Sequence, residues 1–151
     1  TTAYLARLTT QPTAIQKAAI NRLYYDLKRA GILSKLDGLW VGISTSRTDA
    51  RLNLAGNSLT LTEHGDISFN ATSGWTFHGG DWLDTGLNPG AATVHYGRDS
   101  ASFGALVAGA SNSGVFMGAF DGVSGLTLSR TDNILNGRIN NNQLLSGAIS
   151  P

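Results

Sequence analysis

The sequence predicts an all-β antiparallel sandwich or barrel preceded by one amphipathic helix. Three observations lead there. Short β-prone runs recur from residue 38 onward, separated by Gly, Asn, Asp and Ser clusters at intervals of roughly 8 to 12 residues, the rhythm of an antiparallel β domain. Apolar residues alternate within those runs, at Leu59/Leu61, Trp75/Phe77, Val94/Tyr96 and Leu126/Leu128, so one face of each run is expected to be buried. Residues 14–30 instead repeat their apolar side chains at helical spacing. A length of 151 residues suits one core with an added arm. The expected division is residues 1–36, an arm and helix for attachment or packing, and residues 37–151, the sandwich.

In chain order, "AYLARLTTQP" is short and apolar enough to pack on a partner or on the sandwich. Thr13 stands three residues before Gln16, the spacing of a capping box, and opens a helix from Ala14 to Ala30. Ile20, Leu23, Tyr24 and Leu27 form its apolar stripe. Lys28 and Arg29 suit the negative end of the helix dipole, and Gly31 suits a left-handed cap. "GLWVGIS" (38–44) is the first strand candidate, and "SRTDARLNL" (46–54) starts on a turn signal. "GWTFHGGDWLDTG" (74–86) reads as a strand, a turn at His78–Asp81 and a second strand, with Trp75 and Phe77 filling the core. The runs "ATVHYG", "GALVAG", "GVFMGAF", "GLTLSR" and "NGRINNNQLL" complete the series.

Charged residues make up 14% of the chain, well below the usual share of about a quarter, and 19 residues are glycine. Ser, Thr and Asn cover the surface instead. This is the balance of an all-β domain displayed outside cells or on a particle, more than that of a cytosolic enzyme. With no cysteine, disulfides and thiolate metal sites are excluded. No apolar stretch approaches the roughly 18 residues of a membrane span, so membrane insertion is not expected. A first residue Thr1 without a basic region and apolar run leads us to expect a processed chain or a piece of a longer protein. The net charge of +1 points to no nucleic-acid partner, yet it is unevenly spread. Residues 1–51 carry eight cations against three anions, and the remainder three against seven. A basic arm facing an acidic neighbour is one reading of this asymmetry; a solvated basic helix is the other.

Catalytic patterns are weak. Glu63 is the only glutamate, so the carboxylate pair of a glycosidase is hard to assemble. "GASNSG" departs from a serine elbow at Ser113, and one "DTG" at 84–86 is a turn signal more than a protease signature. His64, His78 and His95 show no zinc spacing. Calcium, through Asp81, Asp84 and Asn88, is the only cofactor the residues suggest, and they lack a diagnostic loop. No catalytic residue is therefore assigned. The binding candidates are Trp82, which follows the Gly79-Gly80 turn, with Asp81, His78 and Asn112 from the two loops around Gly79–Trp82 and Gly109–Gly114. An indole there suits the apolar CH face of a sugar ring.

"FHGGDWLDTGLNP" (77–89) resembles a strand and loop of the laminin-G-like, concanavalin A-like jelly rolls found in structural proteins of tailed bacteriophages. The likeness extends outward. Residues 3–41 look like the helical lead-in of those proteins, "ARLNL" and "TLT" like their first strands, and "LTLSRTDNILNGRINNNQLLSG" (126–147) like a later hairpin. It covers almost the whole chain in order. The resemblance implies an antiparallel jelly-roll sandwich behind an N-terminal amphipathic helix. It implies a non-enzymatic virion module of tail-fibre, adhesion or head-decoration type, with other virion chains as partners and a bacterial surface glycan as ligand. Members usually continue past the Asn136-Gly137 hairpin, so a neighbouring chain is expected to complete the sheet unless the chain is a fragment. They share no sugar-binding motif, and none is carried over. The alternatives are a carbohydrate-active enzyme on the same fold and a cellular lectin or adhesion domain.

Overall fold

A computed structural model describes residues 1–42, 44–88 and 95, and the strands 113–120, 125–131, 134–138 and 145–148. The chain separates into two compact units, Thr1–His95 and Tyr96–Pro151.

The first unit begins with a short helix α1 (Thr2–Leu5), which buries Tyr4. Helix α2 (Ala14–Arg29) follows and carries the capping box read from the sequence. Gln16 N–H donates to Thr13 Oγ1 at 3.3 Å and Thr13 N–H to Gln16 Oε1 at 2.9 Å, so two otherwise orphaned donors are satisfied reciprocally. At the other end Ile32 N–H reaches Leu27 O at 3.0 Å and Gly31 N–H reaches Lys28 O at 3.1 Å. These are the paired bonds of a Schellman cap, with Gly31 at φ +68°.

The apolar stripe of α2 packs only in part. Ile20 and Tyr24 lie against the core, but Leu23, expected in the middle of a packed interface, is 38% exposed. The core is built from the arm instead. Tyr4, Leu8 and Leu54 are its buried centre, with Leu5, Leu39, Val41 and Leu52 packed around them. Residues 1–36 thus share a core with residues beyond 37, and the boundary expected at residue 36 falls inside the first unit. The physical reason is that α2 is too basic and too narrow in its stripe to bury itself, while the apolar arm supplies the missing side chains.

A turn of 3-10 helix (Leu33–Lys35) leads to the segment expected as the first strands. There the chain forms one isolated antiparallel bridge, Trp40 to Asn53, and a short helix α3 (Arg47–Ala50) capped by Ser46. Two buried polar side chains explain why no ladder forms. Asn53 Oδ1 accepts from Leu39 N–H and Ala55 N–H, each at 2.9 Å. Its Nδ2 donates to Asp37 O at 3.0 Å and Ser58 O at 3.1 Å. One amide occupies backbone groups that a partner strand would otherwise take. Asp49 accepts from Thr9 N–H at 2.7 Å, Thr10 N–H at 3.0 Å and Thr9 Oγ1 at 3.0 Å, which ties the arm to α3. Burial pushes its carboxyl up, but the N–H groups of Thr9 and Thr10 and the hydroxyls of Ser46 and Thr9 outweigh burial, and its pKa lies below the ordinary value.

Next come β1 (Thr62–His64), β2 (Ser68–Asn70), β3 (Gly74–Thr76) and β4 (Trp82–Asp84). The strands flanking the His78–Asp81 turn do not pair with each other. β2 pairs β3, and β1 pairs β4 outside them, so residues 62–84 form one long hairpin. Residues 65–67 of its outgoing arm face residues 77–81 of its return arm, an excess of two. The expectation that Phe77 fills the core is corrected: it lies just past the end of β3, where the β2–β3 ladder has closed, and is 49% exposed. Trp75 packs on Phe69, its cross-strand partner, with ring centroids 4.8 Å apart.

The second unit holds β5 (Ser113–Phe120), β6 (Gly125–Thr131), β7 (Ile134–Arg138) and β8 (Leu145–Ala148). They form one four-stranded antiparallel sheet in sequence order, with a bulge between Val115 and Met117. Asn136-Gly137 lies inside β7, paired with β6 and β8; the β6–β7 ladder closes at Thr131↔Ile134. The run expected over 104–109 lies outside the described residues, as does all of the run over 92–97 except His95.

Candidate functional site

The long hairpin brings Trp82, Asp81 and His78 together at its mismatch; Asn112 lies outside the described residues. Asp81 is the clasp. Its Oδ2 accepts from His78 N–H at 2.7 Å and its Oδ1 from Asp66 N–H at 2.9 Å. These bonds join the two unequal loop segments. The N–H groups of His78 and Asp66 hold the Asp81 carboxyl below its ordinary pKa, against a smaller push from burial.

His78 Nδ1 lies 2.8 Å from the Asp66 carbonyl. A carbonyl only accepts, so Nδ1 carries the proton, and in the neutral ring Nε2 is the acceptor. Gly65 completes the loop at φ +91°, and a Cβ there would fall 2.0 Å from Asp81 Oδ1. Replacing Gly65 with alanine should therefore strain the backbone and break the clasp, costing about 1–3 kcal/mol. Thermal melting is expected to show a drop of several degrees, and an unchanged melting temperature would refute the clasp.

Trp82 stands across from His64 in the β1–β4 register. The imidazole lies flat against the indole, with centroids 4.6 Å apart and planes within 8°. Stacking holds the indole in place while Trp82 stays 56% exposed. The opposite face of this strand pair carries Glu63, which Arg47 Nε grips at 2.8 Å and Arg51 Nε approaches at 3.8 Å. Arg47 also donates to Ile67 O at 2.9 Å. The sole glutamate is thus an ion-paired strut under the platform, and Asp81 is consumed by backbone donors; neither is placed as a proton donor. Among the described residues no three His, Asp or Glu side chains gather as a metal-ligand set. Of the calcium candidates, Asp81 has both oxygens engaged, and Asp84 Oδ1 accepts from Gly86 N–H at 2.8 Å.

His64, Gly65 and Asp66 escaped the sequence reading. Their one signal was the "EHGD" turn at 63–66, whose importance rests on cross-strand partners that no local pattern reveals. Among the described residues no helix is long and apolar enough to cross a membrane. No protein-family model, curated protein or solved structure shows significant similarity to this chain.

Proposed function

We propose that this chain is a non-enzymatic structural module of a tailed-bacteriophage virion, an antiparallel jelly roll displayed on the particle that assembles with other virion chains and adheres to host-surface glycan. The order of resembling segments from residue 3 to residue 147 supports the virion assignment, and the antiparallel hairpin and four-stranded sheet are compatible with that fold. The observation that carries the adhesion reading is Trp82, an indole more than half exposed and braced by His64 on the outer face of a hairpin. An indole held flat with one face open to solvent offers an apolar stacking surface for the CH face of a sugar ring. The ion-paired Glu63 and the clasped Asp81 favour binding over hydrolysis.

The test is binding to polysaccharide purified from the surface of a host bacterium. The protein should be retained on the polysaccharide and release no reducing ends. Trp82→Ala should abolish retention with little change in melting temperature, since truncating an exposed ring leaves no cavity. Retention equal to that of the parent, or steady release of reducing ends, would count against the reading.

A further inference from the structure

The β1–β4 register determines more than the Trp82 platform. Thr62 stands opposite Asp84 and His64 opposite Trp82. Side chains two apart on a strand share a face, so Thr62, His64, Trp82 and Asp84 lie together, with Glu63 and Leu83 turned the other way. Thr62, Trp82 and Asp84 are exposed. His64 covers one face of the indole, leaving a single face for a ligand. Asp84 is about 7 Å along the strand from Trp82, roughly one pyranose ring away. Its carboxylate is oriented by the Oδ1 bond from Gly86 N–H, while Oδ2 takes no hydrogen bond from the described residues.

We propose that Trp82 and Asp84, with Thr62 beside them, form a subsite for one neutral pyranose. This rests on the glycan-adhesion reading above and names the sugar class. The ring's CH face lies on the open side of the indole, and sugar hydroxyls donate to Asp84 Oδ2. Such O–H···O⁻ bonds are strong because the acceptor is charged. Among the described residues of this strand pair no lysine or arginine belongs to this face, and Asp84 repels a carboxylate, so uronic and other acidic sugars are disfavoured.

The probes are methyl β-galactoside, methyl α-glucoside and methyl N-acetyl-β-glucosaminide, against methyl β-glucuronide, followed by saturation-transfer NMR on the full chain. At least one neutral glycoside should bind and the glucuronide should not. Asp84→Asn keeps the Gly86 contact through its amide oxygen and should weaken neutral-sugar binding about tenfold or more. Trp82→Ala should remove binding altogether. If a neutral sugar binds Asp84→Asn as tightly as the parent, or the glucuronide binds best, the subsite is wrong and the glycan-adhesion reading stands. If polysaccharide is retained through Trp82 but no glycoside binds, the single-pyranose subsite is wrong and adhesion stands. If neither polysaccharide nor glycoside binds, adhesion fails as well.

Discussion

Removal of residues 1–12 is expected to unfold the unit Thr1–His95. Tyr4 and Leu8 are two of the three residues at the centre of its core, exposed by only 4% and 8%. Losing a buried leucine or aromatic side chain costs about 2–5 kcal/mol, and two such losses match much of a stability of about 5–15 kcal/mol. The deletion also strips Asp49 of Thr9 and Thr10, its partners from the arm. A fully buried carboxylate would then lack the N–H donors that offset its desolvation. Tyr4 leaves as well, with its phenol pKa raised first by burial and then by the Asp49 charge, and with the Arg7 guanidinium 5.6 Å from its ring. Circular dichroism should show loss of the α2 signal and no cooperative melt for this unit. A truncated chain that melts cooperatively within about three degrees of the parent would show that the arm is a detachable element, as its sequence suggests when read alone.

The second large effect is expected at Asn53. Its side chain is 1% exposed and satisfies four backbone groups, two donors and two acceptors. Asn53→Asp retains the shape and the Oδ1 acceptor but places a second oxygen against the carbonyls of Asp37 and Ser58. An unmade buried hydrogen bond costs about 1–3 kcal/mol, and here two are lost while a charge is buried, so a loss of several kcal/mol at neutral pH is expected. The sign of the pH dependence follows from the chemistry. The protonated acid can donate to one carbonyl, so the folded state raises the new carboxyl's pKa. The penalty is therefore small below the unfolded value of about 3.9 and grows as pH rises through the folded pKa. Denaturant titrations at acidic and neutral pH separate this from a packing defect, which would cost the same at both. Equal losses at the two pH values would contradict the hydrogen-bonding account.

The folded unit shows why some expectations were reached from sequence and others were not. The α2 helix, its Thr13–Gln16 box and its Gly31 cap depend on residues within two turns of one another, so spacing alone specifies them. The turn chemistry around Gly80 is similarly local. "GLWVGIS" and "SRTDARLNL" have strand-like composition, yet Asn53 and Asp49 draw the backbone into loops through partners up to 40 residues away. Phe77 looks like the alternate neighbour of Trp75, but the β2–β3 ladder stops at Thr76, so Phe77 falls in the unpaired segment 77–81 and stays exposed.

Trp82, Asp81 and His78 were legible as a group because they crowd one glycine-rich turn. What each does was not. Asp81 is a clasp, His64 is the brace for Trp82, and Glu63 is a strut, and each role needs a residue on another strand or helix. By itself the sequence determined the helix, its ends, the presence of short antiparallel strands among the described residues and the place of the aromatic turn, because capping, period and turn formation are short-range and act before any packing. Only the tertiary structure decided that the arm is core, that β1 pairs β4 around a nested hairpin, and that one face of Trp82 is left open. Those outcomes depend on which distant groups exclude water together, and burial is a property of the assembled surface rather than of any stretch of chain.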